Sequence, residues 1–134
     1  MAGYSGRPLV GKLGLKPSHR YALPGAPAGF AGALEPIPPG ARVVTKGRSQ
    51  LDFVLLFASD RGTLGTRFPR WAARLSPAGM LWVAWPKKTS GVTTDLDGNV
   101  VRNIGLAAGL VDIKVCAVDE VWSGLKFVRR LRDR

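Results

Sequence analysis

Two unbroken apolar runs constrain this chain most, "DFVLLFA" (residues 52–58) and "MLWVAW" (residues 80–85). A strand with one face in water alternates apolar and polar residues with period two, and neither run does. Continuous apolar strands of this length fit the middle of a parallel sheet covered on both faces. A parallel connection needs a crossover of a dozen residues or more, and the sequence between the two runs supplies one. "DRGTLGTRFPRWAARL" (residues 60–75) sets Leu64, Phe68, Trp71 and Leu75 at helical spacing, with Arg67, Arg70 and Arg74 as a basic row beside them. Leu64, Trp71 and Trp82 read as core. Pro69 opposes this helix, because an interior proline kinks or restarts one.

The remaining segments follow the same alternation. "RPLVGKLGL" (7–15) reads as a short amphipathic helix closed by Gly14, and "HRYAL" (19–23) as a first strand stopped by Pro24-Gly25. "PAGFAGAL" (27–34) reads as a short helix, "PIPPG" (36–40) as a loop and "ARVVT" (41–45) as a second strand. "SPAG" (76–79) reads as a turn. "TDLDGNVVRNIGLAAG" (94–109) reads as a helix opened by Thr94 and Asp97 in a capping-box arrangement. "VDIKVCAV" (111–118) and "LKFVRRL" (125–131) read as strands. The "DEVWSG" between them (119–124) is too short for a crossover, so these two strands must be antiparallel.

Right-handed crossovers then give a three-layer α/β architecture, a mostly parallel sheet of about six strands with one antiparallel strand near the edge, and this order resembles the Rossmann-like fold. The 134 residues suit a single domain. Residues 1–18 form an N-terminal helical segment, 19–131 the sheet and helices, and 132–134 a basic tail. No run approaches the roughly 18 apolar residues of a membrane span, the N-terminus lacks signal-peptide architecture, and Cys116 is the only cysteine. A cytoplasmic location is therefore expected, with no disulfide and no Cys-rich metal site. The formal net charge is +11; residues 1–50 hold seven Lys or Arg against one acid, Glu35. Such a field attracts anionic small molecules, nucleic acid or acidic surfaces. A solvated basic surface is the plainer alternative.

The segments "DFVLLF", "LSPAGMLWVAW" and "AAGLVDIKVCAVDEVWSGLKFVRR" resemble the later half of class I S-adenosylmethionine-dependent methyltransferases, whose fold also ends in a helix, a strand and an antiparallel strand. The wording "AGYSGRPLVGKLGLKPSHR", "LPGAPAGF", "WPKKTSGV" and "DEVWSGLKFVRR" is similar to an uncharacterised bacterial domain-of-unknown-function family. The first resemblance implies a truncated methyltransferase-like fold, with one strand-helix unit missing between residues 45 and 52. It also locates two departures. The cofactor loop of that fold reads acidic-x-Gly-x-Gly-x-Gly, and the matching Leu23–Gly29 carries Leu23 at the acidic position and Pro27 at the middle glycine. The acid that holds the ribose hydroxyls after the second strand is replaced by a segment with Lys46 and Arg48.

Ligands in open parallel sheets bind beyond the carboxyl ends of the strands. Four loops meet there on this reading: 24–29, 58–61, 86–93 and 118–124. The candidate ligand-binding residues are Gly25, Ala26, Gly29 and Phe30; Lys87, Lys88, Thr89 and Ser90; and Trp122 and Ser123. Gly25 and Gly29 allow close backbone approach, and a helix start after them would offer free N–H groups to an anion. The alternative for the glycines is a tight strand-to-helix turn. For Lys87 and Lys88 it is ion pairing with Asp60, Asp95, Asp97, Asp119 or Glu120. Asp95 and Asp97 fit a helix N-terminus better than a metal site, and no metal is expected. His19 lies at the wrong end of the sheet, and Cys116 lies inside a strand. Acid-base chemistry would fall to Asp119, Glu120, Lys87 or Lys88. The leading expectation is a non-catalytic domain binding an anionic ligand or partner without a cofactor. The alternatives are a small S-adenosylmethionine-dependent methyltransferase with a degenerate loop, or a nucleic-acid-associated protein using Arg67, Arg70, Arg74 and the tail Arg129, Arg130, Arg132 and Arg134.

Overall fold

The computed structural model describes residues 8–134. The start of the predicted first helix, Arg7, lies outside them. Six strands form one sheet: β1 (Arg20–Ala22), β2 (Arg42–Val43), β3 (Leu51–Phe57), β4 (Leu75–Pro86), β5 (Leu110–Ala117) and β6 (Trp122–Arg129). Their order is β2-β1-β3-β4-β6-β5. β2, β1, β3 and β4 pair in parallel, while β6 runs antiparallel to both β4 and β5. The predicted antiparallel strand is thus one place in from the edge, and β5 is the edge strand.

The unbroken apolar runs became the strands with two dry faces. Val54, Leu56 and Ala58, with Leu81, Val83 and Trp85 beside them, enter one core. Phe53, Leu55 and Phe57, with Met80, Trp82 and Ala84, enter the other. Helix α1 (Leu9–Leu13) and the short α2 (Phe30–Ala33) cover the second face through Val10, Leu13 and Phe30. Helices α3 (Arg61–Ala72) and α4 (Gly98–Ala107) cover the first through Leu64, Phe68 and Val101. Burying each such side chain contributes about 1.5–3 kcal/mol.

Several boundaries differ from expectation. The segment 76–79 is no turn. It belongs to β4, which takes five residues from Leu75 to Met80 where β3 takes two, Leu51 to Phe53. The strand bulges there and resumes pairing, and sequence punctuation alone reads a bulge as a stop. α3 continues through Pro69, which faces solvent. The buried stripe Leu64, Phe68 and Ala72 offsets the roughly 3 kcal/mol that an interior proline costs. Trp71 is half-buried and packs against the margin of that core.

α4 starts at Gly98, not at Thr94. Its N-cap is Asp97, whose carboxylate accepts from the Val100 N–H at 2.9 Å. The Thr94 hydroxyl instead donates to the Ser59 carbonyl at 2.6 Å and accepts from Leu96 N–H. No capping box forms, because Thr94 ties two loops together. β6 begins at Trp122, so the turn after β5 is shorter than "DEVWSG". No helix among the described residues is long and apolar enough to cross a membrane.

Candidate functional site

The carboxyl ends of β1, β3 and β4 point to one edge, and the strand order reverses between β1 and β3. Pairing there runs past the end of β1: the Phe57 N–H donates to the Pro24 carbonyl at 2.9 Å. The chain then turns at Gly25, with φ 77°. A Cβ on Gly25 would lie 2.7 Å from the Phe57 carbonyl oxygen. Glycine is required here by packing against β3, which is the turn reading of this position. Gly29 caps α2 in a left-handed conformation, but α2 has only four residues. Its first N–H groups are partly taken up by turns, with Phe30 donating to Pro27 and Gly32 to Gly29. The expected helix start after these glycines is present but short.

Ala26 and Phe30 turn inward instead. Phe30 meets Phe57 edge-on at 4.8 Å between ring centroids, and Phe57 meets Trp122 edge-on at 5.0 Å. Edge-to-face contacts of this kind add about 0.5–1.5 kcal/mol each to burial. Phe57 is the centre of this aromatic group. It lies within an apolar run, where no periodicity distinguishes it from its neighbours.

Lys87 follows β4, and its N–H donates to the Val121 carbonyl at 2.7 Å, joining the lysine loop to the turn before β6. Residues Lys88–Ser90 form one 3-10 turn. The Ser90 hydroxyl donates to the Lys87 carbonyl at 2.6 Å and accepts from the Val92 N–H at 3.1 Å, so it is taken up by its own turn. Thr89 is exposed. Ser123 sits within β6, opposite Trp85 on one side and Ala117 on the other. The edge thus brings together Gly25, Ala26, Phe30, Trp122 and Lys87, while Ser90 and Ser123 serve the backbone framework.

The nearby carboxylates do not pair with the lysines. Asp60 accepts from the Thr63 N–H and hydroxyl, both at 2.8 Å. Those bonds, the backbone one first, hold its carboxyl below the usual range. Asp95 accepts from the Arg61 N–H at 2.8 Å, and Asp97 caps α4. Asp119 accepts from the N–H groups of both Val121 and Trp122 at 2.8 Å, tightening the β5–β6 turn. Among the described residues the one ion pair within 4.0 Å is Arg102–Asp112, at 3.3 Å, and Lys87 and Lys88 have no acidic partner.

Elsewhere, His19 precedes β1 and accepts from the Lys16 N–H at Nδ1, 3.2 Å; burial lowers its pKa. Cys116 is half-buried, and burial pushes its thiol pKa up, away from nucleophilic character. No group of three or more His, Cys, Asp or Glu among the described residues is placed to hold a metal ion.

No protein-family model matches the chain. The likeness to a bacterial family of unknown function therefore rests on the quoted segments alone. A comparison with curated proteins gives no significant match. Solved structures do match in fold. Burkholderia thailandensis 1,6-didemethyltoxoflavin-N1-methyltransferase, with bound 1,6-didemethyltoxoflavin and S-adenosylhomocysteine, aligns at TM-score 0.62 and 15% identity over 92% of this chain and 77% of that one. Precorrin-6y C5,15-methyltransferase from Geobacter metallireducens aligns at 0.66 and 11% identity over 91% and 86%. Magnesium protoporphyrin IX methyltransferase from Synechocystis, with bound S-adenosylhomocysteine, aligns at 0.61 and 10% identity over 91% and 78%. The chain has the Rossmann-like α/β fold of the class I S-adenosylmethionine-dependent methyltransferases.

Proposed function

We propose that this chain uses the methyltransferase fold as a binding scaffold, taking an anionic ligand or partner at the carboxyl edge without transferring a methyl group. The observation that carries this reading is the pair Lys87 and Lys88. Both sit on that edge without an acidic partner among the described residues, while the four aspartates around them are held by backbone N–H groups. Lys87 is fixed at its backbone by Val121, beside an aromatic wall of Phe57 and Trp122.

S-adenosylmethionine fits these residues poorly. In the fold it resembles, an acid after β2 holds the ribose hydroxyls, and here the segment 44–50 carries Lys46 and Arg48 and no acid. A carboxylate bonded to two hydroxyls contributes about 1.5–3 kcal/mol per bond, so its loss weakens binding by about 10²–10⁴-fold. Leu23 stands where the resemblance places an acid, and Gly25 is pressed against the Phe57 carbonyl. The second reading is a small S-adenosylmethionine-dependent methyltransferase. It is favoured by the S-adenosylhomocysteine bound in two of the similar structures.

Inorganic pyrophosphate is a suitable probe of the edge. Lys87→Ala/Lys88→Ala is expected to weaken its binding, followed by titration calorimetry at low salt, by roughly tenfold, since charge-assisted contacts are the strong ones. Because Lys88 is exposed and Lys87 half-buried, the melting temperature should move by less than about 2 °C. Unchanged pyrophosphate binding, or a large stability loss, would show the lysines to be structural.

A further inference from the structure

A second basic feature lies on the opposite helical layer, away from Lys87. Arg67, Arg70 and Arg74 follow one another at spacings of three and four on α3 and its C-terminal extension, so they share one face. With Trp71 and Pro24 they line a single groove of about 270 Å³. Arg74 is fixed within it. Its Nε and Nη2 donate to the Ser49 carbonyl at 3.3 and 3.1 Å, and its guanidinium lies 5.2 Å from the Trp71 ring centroid. Arg67 and Arg70 are exposed, and neither has a carboxylate within 4.0 Å among the described residues. Asp60 feels the Arg67 charge, but its oxygens are held by Thr63. The segment anchored at Ser49 also carries Lys46 and Arg48.

Like charges at helical spacing repel, and no ion pair within 4.0 Å among the described residues relieves these; only the more distant Asp60 acts on Arg67. Guanidinium groups are forks suited to phosphate oxygens. A guanidinium plane already lying over an indole extends an aromatic platform on which an unpaired base stacks. We infer that this groove binds single-stranded nucleic acid. Arg67 and Arg70 take neighbouring phosphates, and the Arg74–Trp71 stack takes a base. The Arg74–Trp71 platform needs an unpaired base, which a duplex does not offer. The groove touches the loops of the lysine edge only through Pro24 and does not depend on the role of Lys87 and Lys88.

Fluorescence anisotropy with a labelled oligothymidylate of about 12 nucleotides tests it, at roughly 50 and 200 mM salt. The intact protein should bind, with affinity falling steeply as salt rises. Arg67→Ala/Arg70→Ala should weaken binding at least tenfold at low salt. It should also flatten the log–log salt slope by about 1.4, for two single-strand phosphate contacts. Trp71→Leu should weaken binding several-fold while leaving that slope unchanged. Lys16→Ala/Lys114→Ala removes the same charge around α1, on the opposite face of the sheet, and should stay within twofold. Melting by circular dichroism confirms that each variant is folded. Absence of binding at low salt would overturn the inference. So would equal binding of a duplex of the same length, or an equal loss in Lys16→Ala/Lys114→Ala, which would reduce the effect to net charge.

Discussion

Trp82→Ala is expected to destabilise the protein by about 5 kcal/mol, enough to unfold many domains of this size. Trp82 is fully buried on β4, flanked by Leu55 of β3 and Lys126 of β6. Its indole N–H donates to the Leu13 carbonyl at 2.8 Å. That carbonyl ends α1, where the last turn of any helix leaves acceptors without intrahelical donors. The ring therefore does two things: it fills the core beneath α1 and satisfies the helix end. Truncating a buried tryptophan costs about 3–5 kcal/mol, and a stranded buried carbonyl adds about 1–3. Trp82→Phe separates the two terms. It keeps most of the packing and loses the donor, so about 2 kcal/mol is expected, with faster hydrogen exchange confined to residues 9–14. Urea denaturation measures both variants. A cost below about 2 kcal/mol for Trp82→Ala would mean that α1 does not depend on this residue for its seat on the sheet.

Gly105→Val should cost about 3 kcal/mol, against the sign that helix propensity gives. Propensity alone favours replacing a mid-helix glycine by a few tenths of a kcal/mol for valine. Gly105 is buried on α4, and a Cβ there would lie 2.5 Å from Phe127 Cζ and 2.6 Å from Cδ2. Phe127 has no room to retreat. It is fully buried and packs edge-on against Phe68 of α3, 5.2 Å between centroids. Overpacking of about 1–3 kcal/mol or more dominates. In the double variant Gly105→Val/Phe127→Leu the new methyls occupy space the ring vacates. The combined cost should fall short of the sum of the single costs by about 1–2 kcal/mol. Additive costs, or a stabilised Gly105→Val, would show that α4 can lift off β6 without penalty.

Both sites lie on strands or helices whose existence was legible in the sequence, though their contacts were not. The runs at 52–58 and 80–85 announced doubly buried parallel strands because burial on both faces erases alternation, and the structure has them there. The short 119–124 connection dictated an antiparallel pair, which also formed. The bulge at Ser76–Gly79 was illegible: serine, proline and glycine signal a stop locally, whereas β3 supplies the pairing partner 24 residues earlier, Leu51 for Leu75. The displaced cap of α4 has a similar origin. Thr94 and Asp97 are both good caps, and only the Ser59 carbonyl in a distant loop decides which one starts the helix. At the candidate edge, sequence placed the right loops together but could not assign the partners of their side chains. Ser90 and the four aspartates bond to backbone groups whose positions depend on the turns themselves. The central place of Phe57 and the joining of Pro24 to the arginine row on α3 were beyond reach for the same reason.

The proposed reading of the edge rests on its unpaired lysines and on the absence of an acid from the segment 44–50, although the fold is that of methyltransferases. Melting of the purified protein with S-adenosylhomocysteine at about 1 mM tests that reading most directly. A ligand at about 100 times its dissociation constant stabilises the native state by about 2.7 kcal/mol, a rise of several degrees for a chain of this size. The expected result is a shift of less than about 1 °C, with the melting temperature instead responding to pyrophosphate. A rise of several degrees with S-adenosylhomocysteine would contradict the account and make this chain a cofactor-binding methyltransferase domain.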